Sequence, residues 1–237
     1  MNPQKAARLT GVLFVITFVT SIPALALYND VLNDAHYIVG SGNDTHVFLG
    51  AFLEMLLIVA NIGTAVVLFP ILKRQNEPLA LGYVAARIIE SVFIAVGIVS
   101  VLTIVTLRQD AGASAATLLP IGRSLVAMHD WTFLLGPGFI VGIGNGLILG
   151  YLMYRSGLVP QRLALLGMVG GALICASGIA VLFGVFDKGS AAQAIATIPE
   201  FIWELALGIY LIVKGFKPCP IIAGDAAPAG SPIAEPV

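Results

Sequence analysis

Residues 81–107 form an apolar run of membrane-crossing length that is broken by two ionisable side chains, Arg87 and Glu90. At the centre of a bilayer such a group costs about 2.5–3.5 kcal/mol on insertion scales, so it must find partners inside the protein. Glu54, Asn61, His129, Asn145, Glu200 and Glu204 lie in, or at the mouth of, other apolar runs and are the groups available to do this. The sequence therefore predicts a bundle that closes around a buried polar site.

Composition sets the solvent. Hydrophobic residues make up 58% of the 237 and charged residues 11%, with a mean hydropathy of +0.97, which no water-facing surface sustains. The expected fold is all-α, a polytopic membrane bundle in contact with the lipid bilayer. A net charge of −1 with no concentrated basic face excludes a nucleic-acid partner. Cys175 sits inside an apolar run and Cys219 in a terminal Pro-rich stretch, so both are expected as free thiols.

Six spans are predicted, at about 9–28, 47–72, 79–107, 125–154, 163–186 and 198–213, the last being the shortest. They constitute one transmembrane domain over residues 1–217, followed by a Pro- and Ala-rich tail, 218–237, expected to be disordered. The first run also resembles a signal peptide, with Ala24-Leu25-Ala26 as a cleavage site. It exceeds a usual apolar core of about 7–15 residues, which favours a retained helix. Residues 29–46 read as a polar loop without Lys or Arg, 108–122 as a small-residue loop closed by Pro120, and 187–197 as a third loop. Eight basic residues (Lys5, Arg8, Lys73, Arg74, Arg155, Arg162, Lys214, Lys217) flank one side of the spans and three (Arg108, Arg123, Lys188) the other. The asymmetry predicts both termini in the cytoplasm.

Charge inside the spans is unbalanced. Arg87 is the one cation, against the carboxylates of Glu54, Glu90, Glu200 and Glu204. Such an excess cannot stay dry and ionised, so either some of these acids carry protons or water or a cation enters. Arg87 and Glu90, spaced i, i+3, share a helix face and can neutralise one another, either as a structural pair or as part of a site. At about 1.5 Å per residue, Glu54 lies about 10 Å below its outer helix end, Glu204 about 9 Å, His129 about 6 Å and Glu200 about 3 Å. These depths describe a funnel narrowing towards Arg87 and Glu90. His129-Asp130-Trp131 reads as an acid/base unit or as an interfacial Trp with polar neighbours; adjacent helical positions diverge, so His129 and Asp130 are not expected to pair. Glu200 and Glu204, at i, i+4, suit a cation or a shared proton, unless Glu200 faces water in a first helical turn.

No His-x-x-x-His or Glu-x-x-His spacing occurs on a span, so a metal would need ligands from separate segments, drawn from His36, His46, His129 and the glutamates, and neither a metal nor another cofactor is expected; the lack of a Gly-x-Ser-x-Gly elbow argues against serine hydrolysis. Gly138, Gly142, Gly146 and Gly150 recur every four residues, which lets another helix approach closely; Gly167 and Gly171 make the fifth span the expected partner. A homodimer seam would look the same. Asn145 lies beside this stripe.

Ala7-Arg8-Leu9-Thr10-Gly11, Arg87-Ile88-Ile89-Glu90-Ser91, Gly136-Pro137-Gly138 and Tyr154-Arg155-Ser156-Gly157-Leu158-Val159-Pro160 into Leu165-Leu166-Gly167 occur in an order that resembles the bacterial membrane proteins of the domain-of-unknown-function 4386 family, over about residues 5–215. The resemblance implies six membrane helices in a bacterial inner membrane and carries no activity with it. Three functions stay open on the residues themselves. The first is binding or transport of a small polar or amphipathic solute or cation, with an oligomer required because six spans are few for a transporter. The second is an accessory or sensory subunit of a larger membrane complex, and the third an enzyme acting on a lipid or small substrate, for which the sequence offers no nucleophile.

Overall fold

A computed structural model describes residues 1–40, 42–110 and 114–223. Six helices are long and apolar enough to cross a membrane, and no strand occurs among the described residues. In chain order the structure contains α1 (Pro3–Leu27), α2 (Asn29–Asn33), α3 (Asp44–Leu72), α4 (Glu77–Gln109), α5 (Ala115–Phe133), α6 (Gly150–Ser156), α7 (Gln161–Leu182), α8 (Ala191–Val213) and α9 (Pro220–Ala223). Two π-helical stretches, Leu134–Ile140 and Gly142–Leu149, join α5 to α6, so that Ala115–Ser156 forms the fourth span.

Helix starts follow capping chemistry. Asn2, Asn43, Asn76 and Ser190 each accept a hydrogen bond from a backbone N–H two or three residues on, which satisfies a donor that the first turn leaves unpaired. Pro3 and Pro78 fall at the first and second helical positions, where a missing N–H has no intrahelical partner to lose.

Neighbouring spans pack in sequence, α1 on α3, α3 on α4, α4 on the fourth span, that span on α7, and α7 on α8, and α8 returns to α1. The result is a closed ring of six. At the end that carries the start of α1 and the end of α8, here the terminal end, Phe14, Leu68, Leu72, Leu149, Leu152 and Leu211 form a fully buried core. Gln4 seals this end by exchanging two hydrogen bonds with the backbone of Phe216, at 2.9 and 3.0 Å. At the distal end Tyr37, Ile38, Val101, Ile104 and Leu118 form a second core. There Asp44 ties three elements together, bonding Arg108 at 3.1 Å, Gln109 at 3.0 Å and the Tyr37 hydroxyl at 3.1 Å.

Several expected boundaries shift. The fourth span starts at Ala115, inside the expected 108–122 loop; residues 111–113 of that loop lie outside the described residues. Ala115 and Ala116 favour helix, and Pro120 is accommodated near the start at the loss of one backbone bond. The sixth span starts at Ala191, because Ser190 caps a run rich in alanine; at 23 residues it is longer than α7, which has 22. The expected loop 29–46 contains α2, a 3-10 turn at Tyr37–Val39 and the start of α3. Of the expected tail, residues 218–223 are placed, with Ile222 buried against the terminal-end core, and 224–237 lie outside the described residues. Cys175 and Cys219 are both free.

Candidate functional site

Between the two cores the ring encloses a cavity of about 200 Å³. Of the eight polar residues singled out in the sequence, Glu54, Asn61, Arg87, Glu90, His129, Glu200 and Glu204 line it, contributed by α3, α4, α5 and α8. Asn145 stands behind the wall, where its side-chain amide is hydrogen-bonded to the Glu204 carboxylate. Its backbone carbonyl accepts from the indole nitrogen of the fully buried Trp203 at 3.1 Å.

The cavity ends on a closed triad. Arg87 Nη1 donates to Glu90 at 2.7 Å and Nη2 to the Asn61 side-chain oxygen at 2.5 Å, while Nε reaches the Asn61 backbone carbonyl at 3.5 Å. Asn61 Nδ2 in turn donates to Glu90 at 3.1 Å. All three residues are at least 95% buried, so the charge of each ionised partner is met by a direct bond rather than by water. The Phe14 ring lies 6.0 Å from the guanidinium carbon. Below the triad Tyr83 donates to Thr64 at 3.3 Å, and Thr64 to the Asn61 carbonyl at 2.6 Å.

Above the triad the acids have different surroundings. Glu54 accepts from the Tyr28 hydroxyl at 3.0 Å, and the Tyr28 ring packs edge-on against His129 at 5.8 Å. Glu200 is 2% exposed, and neither of its carboxylate oxygens has a partner. The expectation that Glu200 faces water in a first turn is corrected by the early start of α8, which puts it about 14 Å into the helix at about 1.5 Å per residue. Room for its carboxylate comes from Gly146 and Gly170, where an added Cβ would sit 2.7 and 2.8 Å from one oxygen. Because α5 starts at Ala115, His129 lies about 21 Å along that helix by the same rise, level with Tyr28 at the end of α1. It is 4% exposed and its Nδ1 has no hydrogen-bond partner. That nitrogen is 4.0 Å from Asp130, which pairs instead with Lys188. Gly97 makes room for His129, since a Cβ there would meet the imidazole at 3.4 Å.

The glycine stripe is only partly a packing seam. Gly142 and Gly146 meet Gly171 backbone-to-backbone, and Gly150 approaches the backbone of Ala164 and Met168. Gly138 instead faces its own helix, and Gly167 faces Trp203 rather than the fourth span. The reason is geometric: the π-helical turns between Leu134 and Leu149 change the angular spacing that an α-helical stripe requires.

Sequence reasoning did not single out Tyr28, Phe18, Thr132 or Phe201 as lining residues. Tyr28 closes the first apolar run and reads as an interface anchor, and the others are indistinguishable from lipid-facing or packing positions. Among the described residues no group of three or more His, Cys, Asp or Glu side chains could hold a metal ion.

No curated protein and no solved structure matches this chain. The family model described as "Domain of unknown function (DUF4386)" matches residues 9–215, which include α1 from Leu9 onward, the other five spans of the ring whole and every ionisable group of the cavity. The chain belongs to the DUF4386 family.

Proposed function

We propose that this protein binds, and carries across the membrane, a small polar or amphipathic solute held in the acidic cavity. The observation that carries this reading is the convergence of Glu54, Glu90, Glu200 and Glu204 on one enclosed space with Arg87 as its one Lys or Arg side chain. An ion pair that only fixes helix packing has no need of three further carboxylates or of an empty volume beside it. The Arg87–Glu90–Asn61 triad acts as the floor of the site, because each of its polar groups already has a partner within the triad. By the basic-residue asymmetry the termini are cytoplasmic, so the cavity, which lies towards the distal end, faces outside in a bacterial inner membrane. Movement of solute then requires the terminal-end core to open, and the modest size of the ring favours assembly with a second copy or a partner subunit.

Native mass spectrometry of the detergent-purified chain tests this. A retained small molecule that is lost on Glu54→Gln or Glu204→Gln supports the reading. A chain that comes through bare, and that takes up no solute when reconstituted, overturns it and favours the accessory-subunit alternative.

A further inference from the structure

Resting on the solute-binding reading above, we propose that the ligand is a single-chain amphiphile with an uncharged, hydroxyl-bearing head, and that it enters sideways from the outer leaflet between α5 and α8. Beside the cavity lies a wider vestibule of about 500 Å³ at the distal ends of α1, α5 and α8. Leu25, Phe133, Thr197 and Phe201 line both spaces, so the two are continuous. α8 is held to the fourth span at Trp203 and Glu204, which bond Asn145, whereas α5 and α8 are not a packed pair. The vestibule occupies the gap between them.

The gap opens onto lipid. Leu25, Phe133, Ile198 and Phe201 line the vestibule and are 44–51% exposed on the flank of the ring, while the second core, to which Tyr28 of the cavity wall belongs, closes the distal end on the α3 and α4 side. Exposed Trp131 marks the level of the outer interface, and the neighbouring Asp130 pairs with Lys188 at the rim of the vestibule. A hydrated solute crossing this mouth gives up water to Leu25, Phe133 and Phe201, which return no hydrogen bond. An amphiphile keeps its chain in apolar surroundings from bilayer to vestibule and exchanges only the hydration of its head. The cavity alone, at about 200 Å³, is smaller than the about 300–1,000 Å³ of an ordinary small-molecule site, so a ligand of ordinary size extends into the vestibule.

The head follows from what meets it in the cavity. The hydroxyls of Thr17, Ser21 and Thr132 stand there with the carboxylate of Glu54. A hydroxyl both donates and accepts, so a hydroxyl-bearing head is able to bond both kinds of group. An anionic head would lie among carboxylates without a free cation, because each of the three guanidinium nitrogens of Arg87 already donates to Glu90 or Asn61. A charged head of either sign would also have to pass the apolar mouth stripped of its hydration.

The test uses hexadecanol carrying a mid-chain diazirine, with the full chain in phosphatidylcholine nanodiscs, and maps the photolabelled residues by mass spectrometry. Saturable labelling around Leu25, Phe133 and Phe201, competed by unlabelled hexadecanol and reduced about tenfold by Ala194→Trp, is the expected result. Ala194 lines the vestibule and not the cavity, and an unfolding midpoint equal to that of wild type shows the variant to be folded. Ile198→Trp on the same wall serves as the second variant should Ala194→Trp fail to fold. Labelling that does not saturate and that spreads over the outer faces of other spans, at exposed positions such as Val59 and Val99, is the pattern of annular lipid and overturns the proposal. Equal competition by hexadecanoate or hexadecylammonium overturns the uncharged head. A water-soluble solute retained in native mass spectrometry, with no saturable labelling, overturns entry of an amphiphile from the bilayer and leaves solute binding intact.

Discussion

Asn61 on α3 and Glu90 on α4 are joined by a 3.1 Å hydrogen bond across the helix interface, and Asn61 accepts from Arg87 through its other amide atom. One amide thus bridges both members of an ion pair that lies within a single helix turn. The pair and the α3–α4 contact therefore stand or fall together.

Arg87→Ala leaves Glu90 buried with its charge unmet and is expected to destabilise the protein by about 3–5 kcal/mol. Arg87→Ala with Glu90→Ala removes both charges and is expected to cost less than Arg87→Ala alone. Equilibrium unfolding in mixed micelles measures both; a double variant no better than the single would show that Arg87 has a principal partner other than Glu90.

Gly171→Ala is expected to destabilise by about 1–3 kcal/mol, because the added methyl would lie 2.5 Å from the Gly142 carbonyl oxygen. Gly138→Ala, with nothing nearer than 3.5 Å, is expected to be tolerated. The two unfolding midpoints compared side by side check whether the stripe is a seam at one end only.

Trp203→Phe deletes the indole donor to the Asn145 carbonyl, which keeps its bond from the Gly150 N–H, and is expected to cost about 0.5–1.5 kcal/mol. Since Asn145 also holds Glu204, this variant is expected to weaken solute binding with the cavity lining itself unchanged. Binding affinity and unfolding midpoint, measured on one preparation, test both effects.

Burial, its bond to Asp44 and the Asp44 charge push the Tyr37 phenol from its ordinary value of 10 up to about 12. The folded form therefore favours the protonated phenol. The stability this contributes is complete below pH 10 and is lost as pH rises through about 12. Wild type is expected to lose stability faster than Tyr37→Phe across that window; parallel curves for the two would contradict the role assigned to Tyr37.

What the amino-acid order determined by itself was the number of spans, their apolar faces and which polar residues had to be buried together, because hydropathy and the cost of an intramembrane charge are local properties of a segment. Arg87 and Glu90 announced a polar interior in this way, and Glu54, His129, Glu200 and Glu204 followed from the same cost. The tertiary structure alone decided how those residues are partnered. Glu200 is deep and without a donor because α8 starts at Ser190 and because Gly146 and Gly170 from two other spans leave space for its carboxylate. Tyr28, Phe18 and Phe201 became lining residues through ring closure of α8 on α1, and Gly138 left the glycine seam through the π-helical turns. Those outcomes depend on contacts between segments far apart in sequence, which no local pattern encodes.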